Sequence, residues 1–301
     1  MAKPLILVIG ATGTVGSETA KQLVEAGQDV RALVRDPAKA AKLGGAVDIA
    51  FGDLAIPLTL THAFSEVEKV FVLAPPVPNL EELEANAFAA AQQAGVKHIV
   101  YLSNFGADAF DDDPWRAHGT SERRLRALRM SWTILRPTRF MTNTPYGWAS
   151  VHDKGQLIEP HGGRKVTLID PRDIAAVAAK SLTTPGHEGK VYELIGEALS
   201  GAEMAQCLSA SLGKPIRFVD ATEDETRDDL MRSGIPSEIA EKVLCYFATL
   251  RAGHWYETST VRELLGRPPR TYAAWLKENV PLRNQRLQSG RPRTKTDSVG
   301  R

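Results

Sequence analysis

The sequence predicts an α/β fold, a Rossmann doubly wound parallel sheet with a smaller, α-rich C-terminal lobe. Short apolar runs alternate with helical stretches through the first two-thirds of the chain, and a glycine-rich loop joins the first run to the first helix. The runs are apolar nearly throughout, as strands covered on both faces must be. At 301 residues, 43% hydrophobic and 24% charged, the chain has an ordinary globular composition, which excludes collagen-like, mucin-like and wholly disordered classes.

The elements follow in order. Leu5–Ile9 is an apolar run of five, too short for an export signal and followed at once by a glycine turn, so it reads as a buried strand. Asp29–Val34, a stretch near Val47–Phe51, Lys69–Leu73 and His98–Ser103 continue the sheet, and Trp132–Leu135, Lys165–Ile169 and Val191–Ile195 extend it. Helical stretches at Ser17–Ala26, Glu81–Ala94 and Glu122–Leu128 separate them, with Gly27 and Gly95 placed as C-terminal caps. Asp170 or its neighbour caps the Ala-rich Ile174–Leu182 helix, with Pro171 in its first turn. After residue 200 the pattern is mostly helical: Gly201–Leu212, Thr222–Arg232, Pro236–Leu250 and Thr258–Leu265. We expect one unit over 1–281, its smaller lobe drawn mainly from about 140–164 and 196–281. Residues 282–301, with Arg283, Arg286, Arg291, Arg293, Lys295 and Arg301 against Asp297, form a basic tail too poor in apolar residues to order itself.

Composition excludes several partners. A net charge of +1 gives no global field for nucleic acid, and no run reaches the ~18 apolar residues a membrane span needs. Two cysteines, Cys207 and Cys245, cannot build a disulfide framework, so a reduced, cytoplasmic setting is expected. There is no His-Glu-x-x-His, Gly-x-Ser-x-Gly or Walker pattern, and Asp111-Asp112-Asp113 reads as a solvated loop, so no metal is expected.

The chemistry-bearing signal is Gly10-Ala11-Thr12-Gly13-Thr14-Val15-Gly16. Gly10 permits a tight turn, Gly13 lets the backbone approach a pyrophosphate, and Gly16 lets the helix pack on the strand. The N–H groups of Thr12, Thr14 and Val15, with the helix dipole, then face the diphosphate. An NAD-specific fold places an acid about 20 residues beyond the glycines. Here Arg35 stands there, and a guanidinium suits a 2′-phosphate, so NADPH is the expected cofactor. Asp36 keeps NADH as the alternative, and Arg31 is either a second cation for the ribose or a solvated residue. Asp53 and Leu54 either accept from the adenine or form a plain turn; Leu73, Ala74 and Pro75 would make a flat wall beside ribose and pyrophosphate.

These residues resemble an atypical short-chain dehydrogenase/reductase of the NmrA-like group, which includes NAD(P)H quinone oxidoreductases, azoreductases and triphenylmethane-dye reductases. The resemblance spans about Leu5 to Asn279 and is carried by Gly10–Gly16, Val34-Arg35, Phe51-Gly52-Asp53-Leu54 and Ala94-Gly95-Val96-Lys97-His98. Further carriers are Trp132-Thr133-Ile134-Leu135-Arg136-Pro137, Phe140-Met141-Thr142-Asn143, Ile169–Ala175 and Leu265–Tyr272. It implies a cofactor over the C-terminal strand ends, with Pro137 facing the nicotinamide and the substrate in the cleft beyond.

The resemblance also exposes a gap. Ordinary members use a Tyr-x-x-x-Lys pair on one helix face, whereas here the corresponding stretch has His118 and Glu122. His118 is either a proton donor or a structural residue; Ser103, at the usual catalytic serine's place, either bonds substrate or closes a turn with Asn104. Phe105, Phe140, Met141 and Trp148 are apolar surfaces for a planar substrate, or core. A quinone, imine, azo compound or dye spreads incoming electrons, so orientation matters more than a placed acid. The expected function is hydride transfer from NADPH to such a small-molecule acceptor. A non-catalytic dinucleotide sensor that binds a protein partner is the alternative, an epimerase or dehydratase a distant third, and a homodimer is left open.

Overall fold

Seven strands form one parallel sheet, β1 (Leu5–Val8), β2 (Asp29–Val34), β3 (Asp48–Phe51), β4 (Val67–Val72), β5 (His98–Leu102), β6 (Ser131–Pro137) and, later in the chain, Lys190–Leu194. The computed structural model describes residues 3–108, 115–251 and 258–288; side chains at 42, 115, 145–148 and 281–288 lie outside the description. Between the sheet strands come β7 (Arg139–Phe140), β8 (Gln156–Glu159) and β9 (Val166–Ile169), so the seventh sheet strand is β10. The sheet order is β10-β6-β5-β4-β1-β2-β3, and the winding reverses between β1 and β4, the crevice where open α/β sheets bind ligands.

Alternation along β1 explains the double cover. Leu7 and Ile9 enter one core beneath the helix Leu80–Gln93, while Ile6 and Val8 enter another beneath Thr14–Glu25 and Pro171–Thr183. In chain order the helices are α1 (Thr14–Glu25), the short turns α2 (Pro37–Ala40) and α3 (Leu60–Ala63), α4 (Leu80–Gln93), α5 (Trp115–Arg126), α6 (Trp148–Asp153) and α7 (Pro171–Thr183). Gly27 and Gly95 both take positive φ beyond α1 and α4, as expected of caps. Asp170 caps α7, its side chain accepting from Arg172 N–H.

A third core gathers Met141, Val151, Leu157, Leu168, Met204, Phe247 and Trp275. It lies among β8, β9, the strands β11 (Glu197–Leu199) and β12 (Arg217–Asp220), and the helices α8 (Gly201–Leu212), α10 (Ser237–Arg251) and α12 (Tyr272–Gln288), while α9 (Glu223–Arg232) packs on α10, and α11 (Thr260–Leu265) on α7 and β10. Capping boxes Ser200/Glu203 and Thr222/Glu225 start α8 and α9. Two of the resembling stretches meet here. Asp173, buried on α7, accepts from Arg267 Nη2 at 2.6 Å and Arg270 N–H at 2.7 Å, which ties the Leu265–Tyr272 segment to the sheet.

Three expectations change. The strands β7, β8, β11 and β12 have two to four residues each, too few for a period to show. The helix expected at Glu122–Leu128 begins at Trp115, so His118 and Glu122 share it. And α12 runs through Pro281 to Gln288, past the expected start of the tail at 282; Leu282, Arg283, Gln285, Arg286 and Leu287 are good helix formers. Residues 289–301 lie outside the description. Among the described residues no helix is long and apolar enough to cross a membrane.

Candidate active site

At the β1–α1 turn the glycines divide the work. Gly10 adopts φ +74°, and a Cβ there would stand 2.9 Å from the Leu73 carbonyl oxygen. On Gly16 a Cβ would collide with the Gly10 carbonyl, so the close packing of α1 on the loop demands glycine. Gly13 is different: φ is −93°, and a Cβ would meet only Gly10 O at 3.3 Å. Its bareness serves an approach from outside. The first intrahelical bond runs from Ser17 N–H to Gly13 O at 3.0 Å, leaving the N–H groups of Thr14, Val15 and Gly16 ahead of it. No side chain caps them and no acid stands in the first turn. Thr12, Gly13 and Thr14 are exposed, whereas the Val15 side chain is core, so Val15 contributes through its backbone. This cradle fits a diphosphate.

The three residues open at the end of β2 separate. Arg31 is bound: Nε to Asp48 at 2.7 Å and Nη1 to the Ser65 carbonyl at 2.7 Å. It is therefore neither a solvated residue nor a ribose ligand. Asp36 caps α2, accepting from Ala38 N–H at 3.0 Å. Arg35 is exposed and makes no hydrogen bond or ion pair among the described residues. A free guanidinium beside a committed carboxylate favours a 2′-phosphate over a bare 2′-hydroxyl.

Asp53 holds its own turn, Oδ1 accepting from Ala55 N–H at 3.0 Å, while Oδ2 makes no hydrogen bond among the described residues. Leu54 is largely core. Leu73, half-buried, lies against Gly10; Ala74 is buried and Pro75 half-buried, which places this segment beside the glycine loop. Pro137 is buried at the end of β6, its carbonyl accepting from Phe105 N–H at 3.0 Å.

The helix α5 brings two polar clusters to the neighbouring strand ends. Glu122, buried, accepts from Arg136 Nε at 2.8 Å and Nη2 at 2.6 Å, from Arg126 at 3.1 Å and from Ser103 Oγ at 2.6 Å. Arg136 also pairs with Asp108 at 2.6 Å. Ser103 Oγ thus gives its proton to Glu122 and not to a turn with Asn104. One turn earlier, His118 Nδ1 is 2.9 Å from Tyr101 Oη, which donates to Glu84 Oε2 at 2.9 Å. Burial pushes Glu84 up to about 7 and His118 down to about 4. Glu122 raises the histidine again, and Lys242 of α10 lowers it, so the C-terminal lobe stands near this ring.

The apolar surfaces divide. Met141 is fully buried in the third core and presents no wall to a cleft, because the lobe's later helices close over it. Phe105 is largely buried, Phe140 is half-buried against the α1/α7 core, and the Trp148 side chain lies outside the described residues. Between them Arg139 is locked on Glu159, with Nη1–Oε2 at 3.1 Å and Nη2–Oε1 at 2.5 Å, and His161 Nε2 lies 2.8 Å from Glu159. Although burial alone would raise Glu159, Arg139 and His161 hold it at about 2. The sequence reading missed Tyr101, Glu84 and Arg136. Glu84 had a signal: it falls on the apolar row Leu80, Leu83, Ala87, Phe88, Ala91 of α4.

Comparison with known proteins agrees with this geometry. A family model described as NAD(P)H-binding matches residues 10–185. The chain is 40% identical over 282 residues to an NAD(P)H azoreductase of Xenophilus azovorans, covering 92% of this chain and 98% of that one. A triphenylmethane reductase of Citrobacter sp. complexed with NADP(H) superposes with a TM-score of 0.83 at 26% identity, covering 91% and 99%. The Escherichia coli quinone oxidoreductase QOR2 complexed with NADPH does so at 0.83 and 28%, also covering 91% and 99%.

Proposed function

The chain belongs to the NAD(P)H-binding family, and on that premise we propose that it is an NADPH-dependent reductase passing a hydride to a small conjugated acceptor: a quinone, imine, azo compound or dye. One observation carries the reading. An open diphosphate cradle stands at the sheet's switch point, and at the end of the neighbouring β2 Arg35 makes no ion pair among the described residues; the resemblance sets His118 and Glu122 of α5 at the places of the Tyr and Lys of ordinary members. Glu122 is locked on Arg136 and cannot act as the lysine would.

The backbone from Gly10 to Gly16, including Thr12, Thr14 and Val15, would hold the diphosphate. Arg35 would hold the 2′-phosphate, Asp53 Oδ2 the adenine edge, and Leu73, Ala74, Pro75 and Pro137 the ribose and nicotinamide walls. When bound, the nicotinamide supplies the hydride. Acceptors whose conjugated systems delocalise the added electrons ask the protein chiefly for orientation and exclusion of water. The lobe from about 140–164 and 196–281, with Phe140 at its start, would cover the acceptor. His118 would give a proton where the acceptor needs one. The relatives named azoreductase, triphenylmethane reductase and quinone oxidoreductase support this acceptor class.

The test is NADPH oxidation with an acceptor panel of azo dyes, quinones and triarylmethane dyes, beside calorimetry of NADPH and NADH binding. Tight NADPH binding with acceptor-dependent oxidation is expected. Tight binding with no turnover of any acceptor would overturn the reductase reading and favour a dinucleotide sensor.

A further inference from the structure

We propose that Glu84, Tyr101 and His118 form a proton relay that refills the outer nitrogen of His118, with Glu84 and Tyr101 acting as positioning residues behind it. The inference rests on the reductase reading above. Its geometry is a continuous row: Glu84 Oε2 to Tyr101 Oη at 2.9 Å, and Tyr101 Oη to His118 Nδ1 at 2.9 Å. Tyr101 is fully buried in β5 and Glu84 fully buried on α4, so the row is sealed at its inner end. At its outer end His118 is half-buried, and Nε2 makes no hydrogen bond among the described residues. The buried Ser121 hydroxyl stands beside Glu84 and, like Glu84 Oε1, makes no hydrogen bond of good geometry among the described residues.

The row is needed because of what burial does to the ring. His118 is neutral near pH 7, and a neutral imidazole gives up its Nε2 proton readily only if Nδ1 gains one in the same event. Tyr101 has one proton to place. When Glu84 is a carboxylate, Tyr101 donates to it, Nδ1 carries hydrogen, and Nε2 is bare. When Glu84 is protonated, its hydroxyl donates to Tyr101, Tyr101 donates to Nδ1, and Nε2 carries hydrogen. Burial in the first place, with Glu81 adding to it, holds Glu84 near the crossing point at about 7, against Ser121, Tyr101 and Arg124, which favour its charged form. Glu122 faces Tyr101, and Glu122 and Lys242 face His118.

The balance closes for an acceptor that needs hydride and proton together. NADPH is the reductant. Once reduced, a quinone or azo acceptor carries negative charge and takes the Nε2 proton; the Nε2–H bond breaks. Nδ1 then takes the phenolic proton, the phenolate oxygen takes the carboxylic proton, and Glu84 is left as carboxylate. Water protonates Nε2 and the same steps run inward to restore the row. A triarylmethane cation is different in kind: hydride alone neutralises it and no proton is consumed.

That difference supplies the test. Wild type, Glu84→Gln and Tyr101→Phe are assayed with an azo or quinone acceptor and with a cationic triarylmethane dye. For the proton-requiring acceptors both variants should lose kcat by about 10²-fold with KM little changed, and the wild-type kcat should fall above about pH 7. With the cationic dye both variants should stay within about threefold of wild type. Parallel losses on both acceptors, no loss on either, or a wild type that reduces only the cationic dye would overturn the relay. No turnover by wild type at all would instead overturn the reductase reading. A further readout needs no turnover: nitrogen-15 shifts of His118 should pass from the Nε2–H to the Nδ1–H tautomer as pH rises through about 7 and should not do so in Glu84→Gln. An unchanged wild-type tautomer across that range would refute the relay, whereas unchanged NADPH affinity in both variants confirms that they are folded.

Discussion

Replacing Arg35 by alanine isolates the recognition of a single phosphate. The guanidinium is exposed and makes no bond among the described residues, so its loss should change stability by no more than about 0.5 kcal/mol. Against a 2′-phosphate it would make charge-assisted hydrogen bonds, worth roughly 1.5–3 kcal/mol each net of hydration. Salt screening at an exposed site places the result at the lower end, about 2 kcal/mol, or roughly 30-fold in Kd. NADH has no 2′-phosphate, and its Kd should move by less than about twofold. In Arg35→Asp the NADPH loss should deepen and NADH should gain, because a carboxylate can accept from the free 2′-hydroxyl. Titration calorimetry with both dinucleotides at two salt concentrations reads this directly. The wild-type NADPH affinity should fall more steeply with salt than that of Arg35→Ala. Equal losses for NADPH and NADH would refute the assignment, since the arginine would then be acting on something the two cofactors share.

Other consequences follow from the same geometry. Gly13→Ala should fold with less than about 1 kcal/mol of stability lost yet bind neither dinucleotide well, whereas Gly16→Ala, facing the Gly10 carbonyl, should lower the melting temperature itself; equal effects would mean that the two glycines do one job. Glu84→Gln should stabilise the protein at alkaline pH. Burial raises Glu84 from 4.5 to about 7, so the fold binds that proton more tightly than the unfolded chain does, and wild-type stability declines as pH rises between those values, by on the order of 3 kcal/mol. Denaturation curves of variant and wild type should therefore converge near pH 4.5 and separate by pH 8; parallel curves would rule out the shift. Glu122→Ala strands the buried Arg136 with only the exposed Asp108 and should cost about 3–5 kcal/mol in urea unfolding, a figure that a merely superficial pair would not approach.

Much of this was legible in the chain because its signals are local. A strand, three glycines and a helix lie within about twenty residues, and each glycine's duty follows from that short path. The end of β2 was legible only in part. Arg31, Arg35 and Asp36 are equivalent as letters, and what separates them comes from elsewhere: Asp48 and the Ser65 carbonyl claim Arg31, and the first turn of α2 claims Asp36. Met141 shows the same limit. An apolar residue after a strand reads equally as wall or core, and the partners that make it core, Phe247 and Trp275 among them, arrive over a hundred residues later. The partner of Ser103 is not legible locally, because its acceptor, Glu122, is nineteen residues distant. Glu84 is readable from the chain alone: an acid on the apolar row of α4 marks a buried carboxyl that needs a partner.

Helix α5 turns His118, Ser121 and Glu122 toward the sheet and α4, where the spacing i, i+3, i+4 would ordinarily bury leucines. Buried polar groups are costly unless paired, and the helix treats its two ends differently. Glu122 is satisfied at both oxygens by Arg136, with Ser103 and Arg126 besides, an arrangement with no proton to move and no freedom to move it. A turn away, the row through Tyr101 leaves Glu84 Oε1 and Ser121 Oγ without a hydrogen bond of good geometry among the described residues and sets a carboxyl at about 7 against an imidazole at about 4. If stability alone had shaped this helix, both ends would be closed or both apolar. The closed end fixes where α5 sits on β5 and β6; the open end, reaching the surface at His118, is where a proton can be exchanged, and the fixed end is what holds that opening in register with the strand ends.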